Sequence, residues 1–398
     1  MSDSNLNEEA KTPEEPSTRQ KRADFIAGAE ELPAKKVRTG PGCFIRILAF
    51  FGIVVTIGLI VAFVLGLKYS VLFLPPEEES REVVVSIPEG ASAARIGQVL
   101  EEAGVIKSAD AFVWTLKART RVKGPVVLKA GEMALDPSMS IWKTIDLIAK
   151  GNYKLYPFTV PEGRNMYEIA QLIEKAGLGT QDDFLALCRD QALIASLGFK
   201  GVSLEGYLYP ETYSFPKGTQ LQSIIKTMTD AFKKVWQKYE PLAREKNMSR
   251  EEVVTLASIV EKETGVARER PVIAGVFFNR LAKKMKLQTD PTIIYGLLPD
   301  FSGDITRQDI NNPHPYNTYV HFGLPPGPIT NPGEAAISAV VKPDIVPYIY
   351  FVSKNDGSGA HDFSETLAEH NRKVNRYLRS GKKTDTKSST TRRGSRNN

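Results

Sequence analysis

Three stretches of this sequence hold residues that could do chemistry together. The first is Leu256-Ala257-Ser258-Ile259-Val260-Glu261-Lys262-Glu263-Thr264. Leu256, Ile259, Val260 and Ala267 recur at helical spacing, and Glu263 lies on the same apolar stripe. A carboxylate on such a face is costly to bury ionised, so its pKa is expected to rise, which suits a general acid. The alternative is a carboxylate at the stripe's edge, salt-bridged to Arg268 or Arg280. Glu261 is about 200° away around the helix, on a face with Ala257, Thr264 and Arg268. It is expected to be a surface or structural ion-pair residue.

The second stretch is the turn Gln288-Thr289-Asp290-Pro291-Thr292. The third is Tyr316-Asn317-Thr318-Tyr319, followed by the proline-dense loop Gly323–Pro332, a stiff segment that would suit a cleft wall. Together they offer amides, hydroxyls and aromatics beside one unusual Glu, which suits a neutral, hydroxyl-rich ligand such as a glycan. Tyr207, Tyr209 and Tyr213 could also face sugar rings, although aromatic clusters more often serve a core. Other chemistries lack their parts. His314, His321, His361 and His370 form no HExxH zinc motif, and no cysteine pair could ligate a metal. There is no Gly-x-Ser-x-Gly elbow and no phosphate-cradling Gly-x-x-x-x-Gly-Lys loop. No metal or organic cofactor is implied, and His361 beside Asp362 reads as structural.

The elements that must position these groups are marked locally. Ser249 with Glu252 predicts a capping box at the start of the Glu263 helix, and Gly265 predicts a left-handed stop. A second helix is predicted over Arg270–Lys284, with Pro271 in its first turn and Ile273, Val276, Phe277 and Leu281 on its buried face. Upstream, residues 87–105 and 160–178 match at eight of 19 positions with an offset of 73. Each copy reads as a strand, a Pro-Glu-Gly turn, and a helix stopped by Gly104 or Gly177. Strand–turn–helix is a common small unit. The first copy also resembles the βααβ unit of LysM carbohydrate-binding modules, and the second is expected to open the next domain.

Composition bounds the rest. The 398 residues are 42% apolar and 25% charged, enough for two or three domains. Residues 1–42 are polar and proline-rich, too poor in large apolar side chains to form a core. Ile47–Leu67 is an uncharged run long enough to cross a bilayer. Lys35, Lys36, Arg38 and Arg46 precede it and Glu77-Glu78-Glu79 follow, so the N-terminus is expected in the cytosol. Cys43 and Cys188 would then lie on opposite sides of the membrane and could not pair. The net charge of +6 comes almost wholly from the tail 380–398, so no folded basic face for nucleic acid is expected.

The motifs quoted above, with Asn279-Arg280-Leu281, Ile293-Ile294-Tyr295-Gly296 and Asn331-Pro332-Gly333, resemble the MltG (YceG-like) endolytic murein transglycosylases over about residues 83–379. The resemblance implies an α+β fold with a single N-terminal transmembrane helix, a small LysM-like βααβ subdomain and a larger YceG-like catalytic domain. The expected division is a cytosolic tail 1–45, an anchor 46–68, a LysM-like subdomain 83–157, a catalytic domain 158–379 and a basic tail 380–398. The resemblance makes Glu263 the catalytic residue of a lytic transglycosylase of the inner (plasma) membrane. Its expected substrate is peptidoglycan strands, with cell-wall synthases such as penicillin-binding proteins as expected partners. Gln288, Thr289, Asp290, Tyr316, Asn317 and Tyr319 are the expected substrate-binding residues. The rivals are a muramidase using Asp290 as a second carboxylate, an inactive LysM-like scaffold, and an enzyme acting on another polysaccharide. The long N-terminal tail and the basic C-terminal tail depart from the compact members of that family.

Overall fold

The computed structural model describes residues 41–377, so the expected tail 380–398 and all but the last residues of the tail 1–45 lie outside the described residues. The chain divides into two units near Leu72. The first carries helix α1, Pro41–Ser70. Its segment Ile45–Phe73 has a mean hydropathy of 2.9 and no buried residues. Among the described residues it is the one helix long and apolar enough to cross a membrane.

In the second unit, β1 (Val83–Ile87) is followed by α2 (Ala93–Glu102), α3 (Ala109–Lys123), β2 (Gly131–Leu135) and α4 (Ile141–Lys150). The strands pair antiparallel, from Val83 opposite Leu135 to Ile87 opposite Gly131. Val85, Ile87, Met133 and Leu135 alternate inward, where Ile96 and Leu100 of α2 and Ile145 and Ile148 of α4 are also buried. The strand–helix–helix–strand order expected for the first copy is thus present, with α4 added.

The second copy repeats the plan. β3 (Leu155–Thr159) leads through α5 (Met166–Lys175), α6 (Gln181–Arg189) and α7 (Gln191–Ser196) to β4 (Thr212–Pro216), which pairs antiparallel with β3. Both turns use a glycine at positive φ, Gly90 at 68° and Gly163 at 75°. Both helices are capped at equivalent positions, by Ser92 and Asn165, and end at Ala103 and Ala176.

The remainder is largely helical: α8 (Leu221–Glu245), α9 (Arg250–Glu263), α10 (Arg270–Ala282), α11 (Asp290–Gly296), α12 (Arg307–Ile310) and α13 (Glu334–Val341), then the hairpin β5 (Tyr350–Ser353) and β6 (His361–Ser364). α9 is its centre, packed by α8, α10, α11 and α13. All eight residues from Val253 to Val260 are buried. This corrects the one-stripe view of the helix. Ala257 and Thr264 are as buried as Leu256 and Ile259, while Ala267 is exposed. Amphipathic spacing presumes a solvent face, and a helix enclosed by four others has none. Tyr207 and Tyr213 belong to the core: the rings of Phe199 and Phe232 lie 4.5 and 5.1 Å from that of Tyr207.

Candidate active site

α9 begins with the predicted capping box. The Ser249 hydroxyl accepts the Glu252 N–H at 3.2 Å, and the Glu252 carboxylate accepts the Ser249 N–H at 2.8 Å. Its end differs from expectation. Thr264 turns extended, at φ −146° and ψ 133°, and its hydroxyl accepts the Val266 N–H at 3.0 Å. Gly265 is not among the residues at positive φ, so the left-handed stop is not used. The extended turn leaves Glu263 as the last helical residue.

Glu263 is half-buried. Burial pushes its carboxyl up to about 7, and the nearby Asp290 charge adds to the rise. The negative end of the α9 dipole acts in the same direction. The Thr289 hydroxyl and the Arg280 charge pull the other way. Among the described residues no cation lies within ion-pair distance of Glu263, so the salt-bridged alternative is not realised. Arg268 is not paired to it, and the Arg280 guanidinium donates instead to the carbonyls of Ile349, Lys286 and Leu287 at 2.7, 3.2 and 2.8 Å.

Glu261 is the contrasting neighbour. Its side chain is buried, pairs with Arg270 at 2.8 Å and accepts the Gly333 N–H at 3.1 Å. It is therefore a structural ion-pair residue and not a surface one.

The turn beside Glu263 is held by buried threonines. The Thr289 N–H donates to the Thr318 hydroxyl at 3.1 Å, the Thr292 and Thr318 hydroxyls meet at 2.8 Å, and the Gln288 N–H donates to the Thr318 carbonyl at 3.2 Å. What reads as a turn in the sequence is the start of α11, with Pro291 in its first turn. Asp290 is exposed and accepts the Tyr319 hydroxyl at 2.6 Å. The Thr289 side-chain oxygen is buried with no hydrogen-bond partner at standard geometry. It is free to donate to an ionised Glu263 or to a bound hydroxyl. Thr289, Asp290 and Tyr319 thus gather at Glu263, with exposed Gln288 beside them.

Asn317 and Tyr316 are placed differently. Asn317 is buried, donates to the carbonyls of Asp309, Ile310 and Asn312 and accepts the Tyr319 N–H at 2.9 Å. Its amide is engaged in shaping the loop. The Tyr316 ring packs 4.9 Å from that of Tyr295, and the carboxylate beside it is Glu205. The proline-dense loop is largely buried against α9, where the Ile329 N–H donates to the Ser258 hydroxyl at 3.0 Å. His361 bonds Glu269 at 2.8 Å, a tie between β6 and the turn before α10.

Sequence reasoning held Thr292 and Thr318 within its candidate stretches without singling them out, and it missed Glu205. Glu205 is 1% exposed. Its carboxyl accepts the Met166 N–H at the start of α5, at 2.9 Å, and the Asn331 amide at 2.8 Å. Burial pushes it up to about 8, while hydrogen bonds from Met166, Tyr295 and Gly206 work against the rise. Asn331 also donates to the Arg164 carbonyl and accepts the Leu208 N–H. Glu205 therefore joins the second repeat copy to the proline-dense loop and, through Tyr295, to the helix that begins at Asp290. Its one signal in the sequence is an acid between Leu204 and Gly206 in an otherwise apolar and aromatic run.

A sequence profile of the YceG-like family matches residues 85–376. The chain belongs to the YceG-like family. It is 33% identical to the endolytic murein transglycosylase of Bacillus subtilis strain 168, over 78% of this chain and 89% of that protein. Identity is also 33% to the endolytic murein transglycosylase of Streptococcus pneumoniae D39, over 77% of this chain and 60% of that longer protein. The crystal structure of the yceG-like protein lmo1499 from Listeria monocytogenes matches with a TM-score of 0.51 and 34% identity. That match covers 74% of this chain and 99% of the Listeria chain.

Proposed function

We propose that the protein is an endolytic peptidoglycan lytic transglycosylase that cuts the β-1,4 bond between N-acetylmuramic acid and N-acetylglucosamine within nascent strands. The observation that carries this reading is Glu263, a half-buried carboxyl raised to about 7 with no cation paired to it among the described residues, beside the buried Thr289 hydroxyl. A group with that pKa is protonated in part of the population at neutral pH and serves as acid and then as base. Protonated Glu263 gives its proton to the glycosidic oxygen as the bond breaks. As carboxylate it then takes the proton from the muramoyl 6-hydroxyl, whose oxygen closes on its own anomeric carbon. The product is a 1,6-anhydro ring, and no water is consumed. Tethering of the attacking hydroxyl removes much of the entropic barrier. Thr289, Asp290, Tyr319 and Gln288 offer the hydroxyl and amide contacts for the sugar, and the names of relatives at 33% identity support the assignment.

A second reading is a muramidase in which Asp290 guides water. The nearness of Asp290 to Glu263 is what favours it. Mass spectrometry of products from purified sacculi separates the two by the mass of one water. The expected product is anhydromuropeptide, and Glu263→Gln is expected to lower its rate by about 10²–10⁴. Hydrated ends from the wild type would transfer the assignment to the muramidase. Binding to sacculi without any cleavage would leave the scaffold reading, in which the LysM-like first copy docks the protein on the wall.

In this proposal α1 anchors the chain with the N-terminus in the cytosol, and residues after 73 face the wall and its synthases, such as penicillin-binding proteins. A reporter fused after residue 380 is expected to work outside the cytosol, and cytosolic activity there would refute the topology.

A further inference from the structure

Beyond the sugar contacts, a hollow of about 560 Å³ opens beside the site, lined by Leu281, Lys284, Met285, Phe322 and Gly323. Both of its walls lead into the site. Lys284 and Met285 run on to Gln288 and Thr289, and Phe322 follows shortly after Tyr319. The two walls are joined where the Gln288 N–H donates to the Thr318 carbonyl.

The wall is built with an unusual residue. α10 ends in a Schellman-type turn, in which the Met285 N–H donates to the Arg280 carbonyl at 2.8 Å and the Lys284 N–H to that of Leu281 at 3.0 Å. The residue in the left-handed conformation there is normally Gly or Asn. At the end of α8 it is Asn247, with φ 54°; here it is Lys284, with φ 52°. Gln288, four residues on, also has a positive φ, 50°. The four described non-glycine residues at positive φ are thus two asparagines, which tolerate it, and these two, which flank the hollow and the site.

The hollow's chemistry is apolar wall and unpaired cation. Phe322 is 68% exposed, and the Lys286 ammonium lies 5.1 Å from its ring centre. Among the described residues Lys283, Lys284 and Lys286 have no ion-pair partner. An aromatic plate and aliphatic walls, with Lys284 in the lining and the Lys286 ammonium beside the Phe322 ring, suit a short peptide with small side chains and free carboxylates. A flat anionic membrane surface would need no hollow. We propose that this hollow receives the stem peptide carried by a muramoyl residue beside the scissile bond, with Lys284 and Lys286 holding a peptide carboxylate and Phe322 covering its aliphatic part. The inference rests on the peptidoglycan reading above.

The test uses binding, so that it does not depend on cleavage. Full-length Glu263→Gln protein in detergent is titrated with uncross-linked glycan strands that keep their peptides, and with the same strands stripped by an amidase. A third arm adds an anionic phospholipid to the micelles as competitor. Peptide-bearing strands are expected to bind about tenfold more tightly. The double variant Lys284→Gln/Lys286→Gln is expected to bring the two affinities within about twofold. Phe322→Ala, at an exposed position, should do so without shifting the unfolding midpoint. Equal binding of both strands by the Glu263→Gln protein, or a preference that survives the lysine and Phe322 changes, overturns the inference. Competition by the phospholipid without a peptide preference overturns it in favour of a lipid surface. A peptide preference in a wild type that yields no anhydro product would instead refute the cleavage reading and leave the hollow's assignment standing.

Discussion

The two copies of the repeat share a plan and differ in what surrounds them. In the first, Pro88, Glu89 and Gly90 are all exposed. In the second, the same turn docks at the end of α9. The Gly163 N–H donates to the Asn331 carbonyl at 3.1 Å, the Lys262 ammonium reaches the Gly163 carbonyl at 3.5 Å, and Glu162 lies 4.0 Å from Arg270, the partner of Glu261. Glu162 also lies against Gly333, where any side chain would collide with it. The helices that follow diverge in the same way. α2 has a simple cap from Ser92, with Arg95 at the third helical position. α5 has a full capping box with Glu168 and, in addition, the buried Glu205 at its first N–H. One local unit is thus used once as a free-standing turn and once as part of the site's scaffold. The difference lies partly inside the repeat, where Glu168 replaces Arg95, and partly outside it, in Glu205, Lys262, Arg270 and Asn331.

The largest effect expected from breaking that contrast is at Glu205. Glu205→Ala leaves the Met166 N–H, the Asn331 amide and the Tyr295 hydroxyl buried without their acceptor. Each buried donor left without its acceptor costs about 1–3 kcal/mol, which a denaturation midpoint will register. Ser92→Ala, which removes the first copy's simpler cap, should cost about 1 kcal/mol. Glu205→Gln is milder and sharpens the point through pH. The folded-state pKa of Glu205 is raised from 4.5 to about 8, so the folded state holds a proton that the unfolded state has lost. Its contribution is fully present below about pH 4.5 and is lost as pH rises toward 8. Tyr295 can turn its hydroxyl to accept from the protonated acid, and a glutamine amide mimics that form. Relative to wild type, Glu205→Gln should therefore gain stability as pH rises from 4.5 to 8. A pH-independent difference between the two would mean that Glu205 stays ionised throughout.

These residues also mark how far the sequence could be read. The capping box of α9, the Pro271 start of α10 and the two-copy register depend on neighbours three or four residues away, and local spacing reveals them. For Glu263 the expected rise in pKa was legible from its apolar helical neighbours Ile259 and Val260, while its role in catalysis stands as a proposal. Glu261 was legible as an ion-pair residue but not as a buried one, since nothing in 249–265 reports that four helices enclose α9. Glu205 stands out locally only as an acid between Leu204 and Gly206, and its role was not legible: its Met166 and Asn331 partners are 39 and 126 residues away. The amide of Asn317 shows the same limit from the other side. Residue type says that it can bond a sugar, and only the fold says that it is already bonded to its own loop.

The smallest expected effect, and the most direct comparison of the two turns, is Glu162→Ala against Glu89→Ala. Glu89 is exposed, so its removal should change stability by less than about 0.5 kcal/mol. Glu162 is half exposed and distant from Arg270, so its ion pair must be discounted for solvent and is worth no more than about 0.5–1 kcal/mol. Its packing against Gly333 adds to that, and its charge bears on the site indirectly. Glu162 is one of the groups that raise the pKa of Glu261, after burial as the main cause. Removing it should leave Glu261 more firmly ionised and the Glu261–Arg270 pair tighter. The variant is therefore expected to lose a little stability while keeping most of its activity. Parallel urea titrations of the two variants check the stability difference, and anhydromuropeptide release checks the activity. Equal midpoints would show that the docked turn is held by its backbone bonds to Asn331 and Lys262, with the glutamate side chain contributing nothing in either copy.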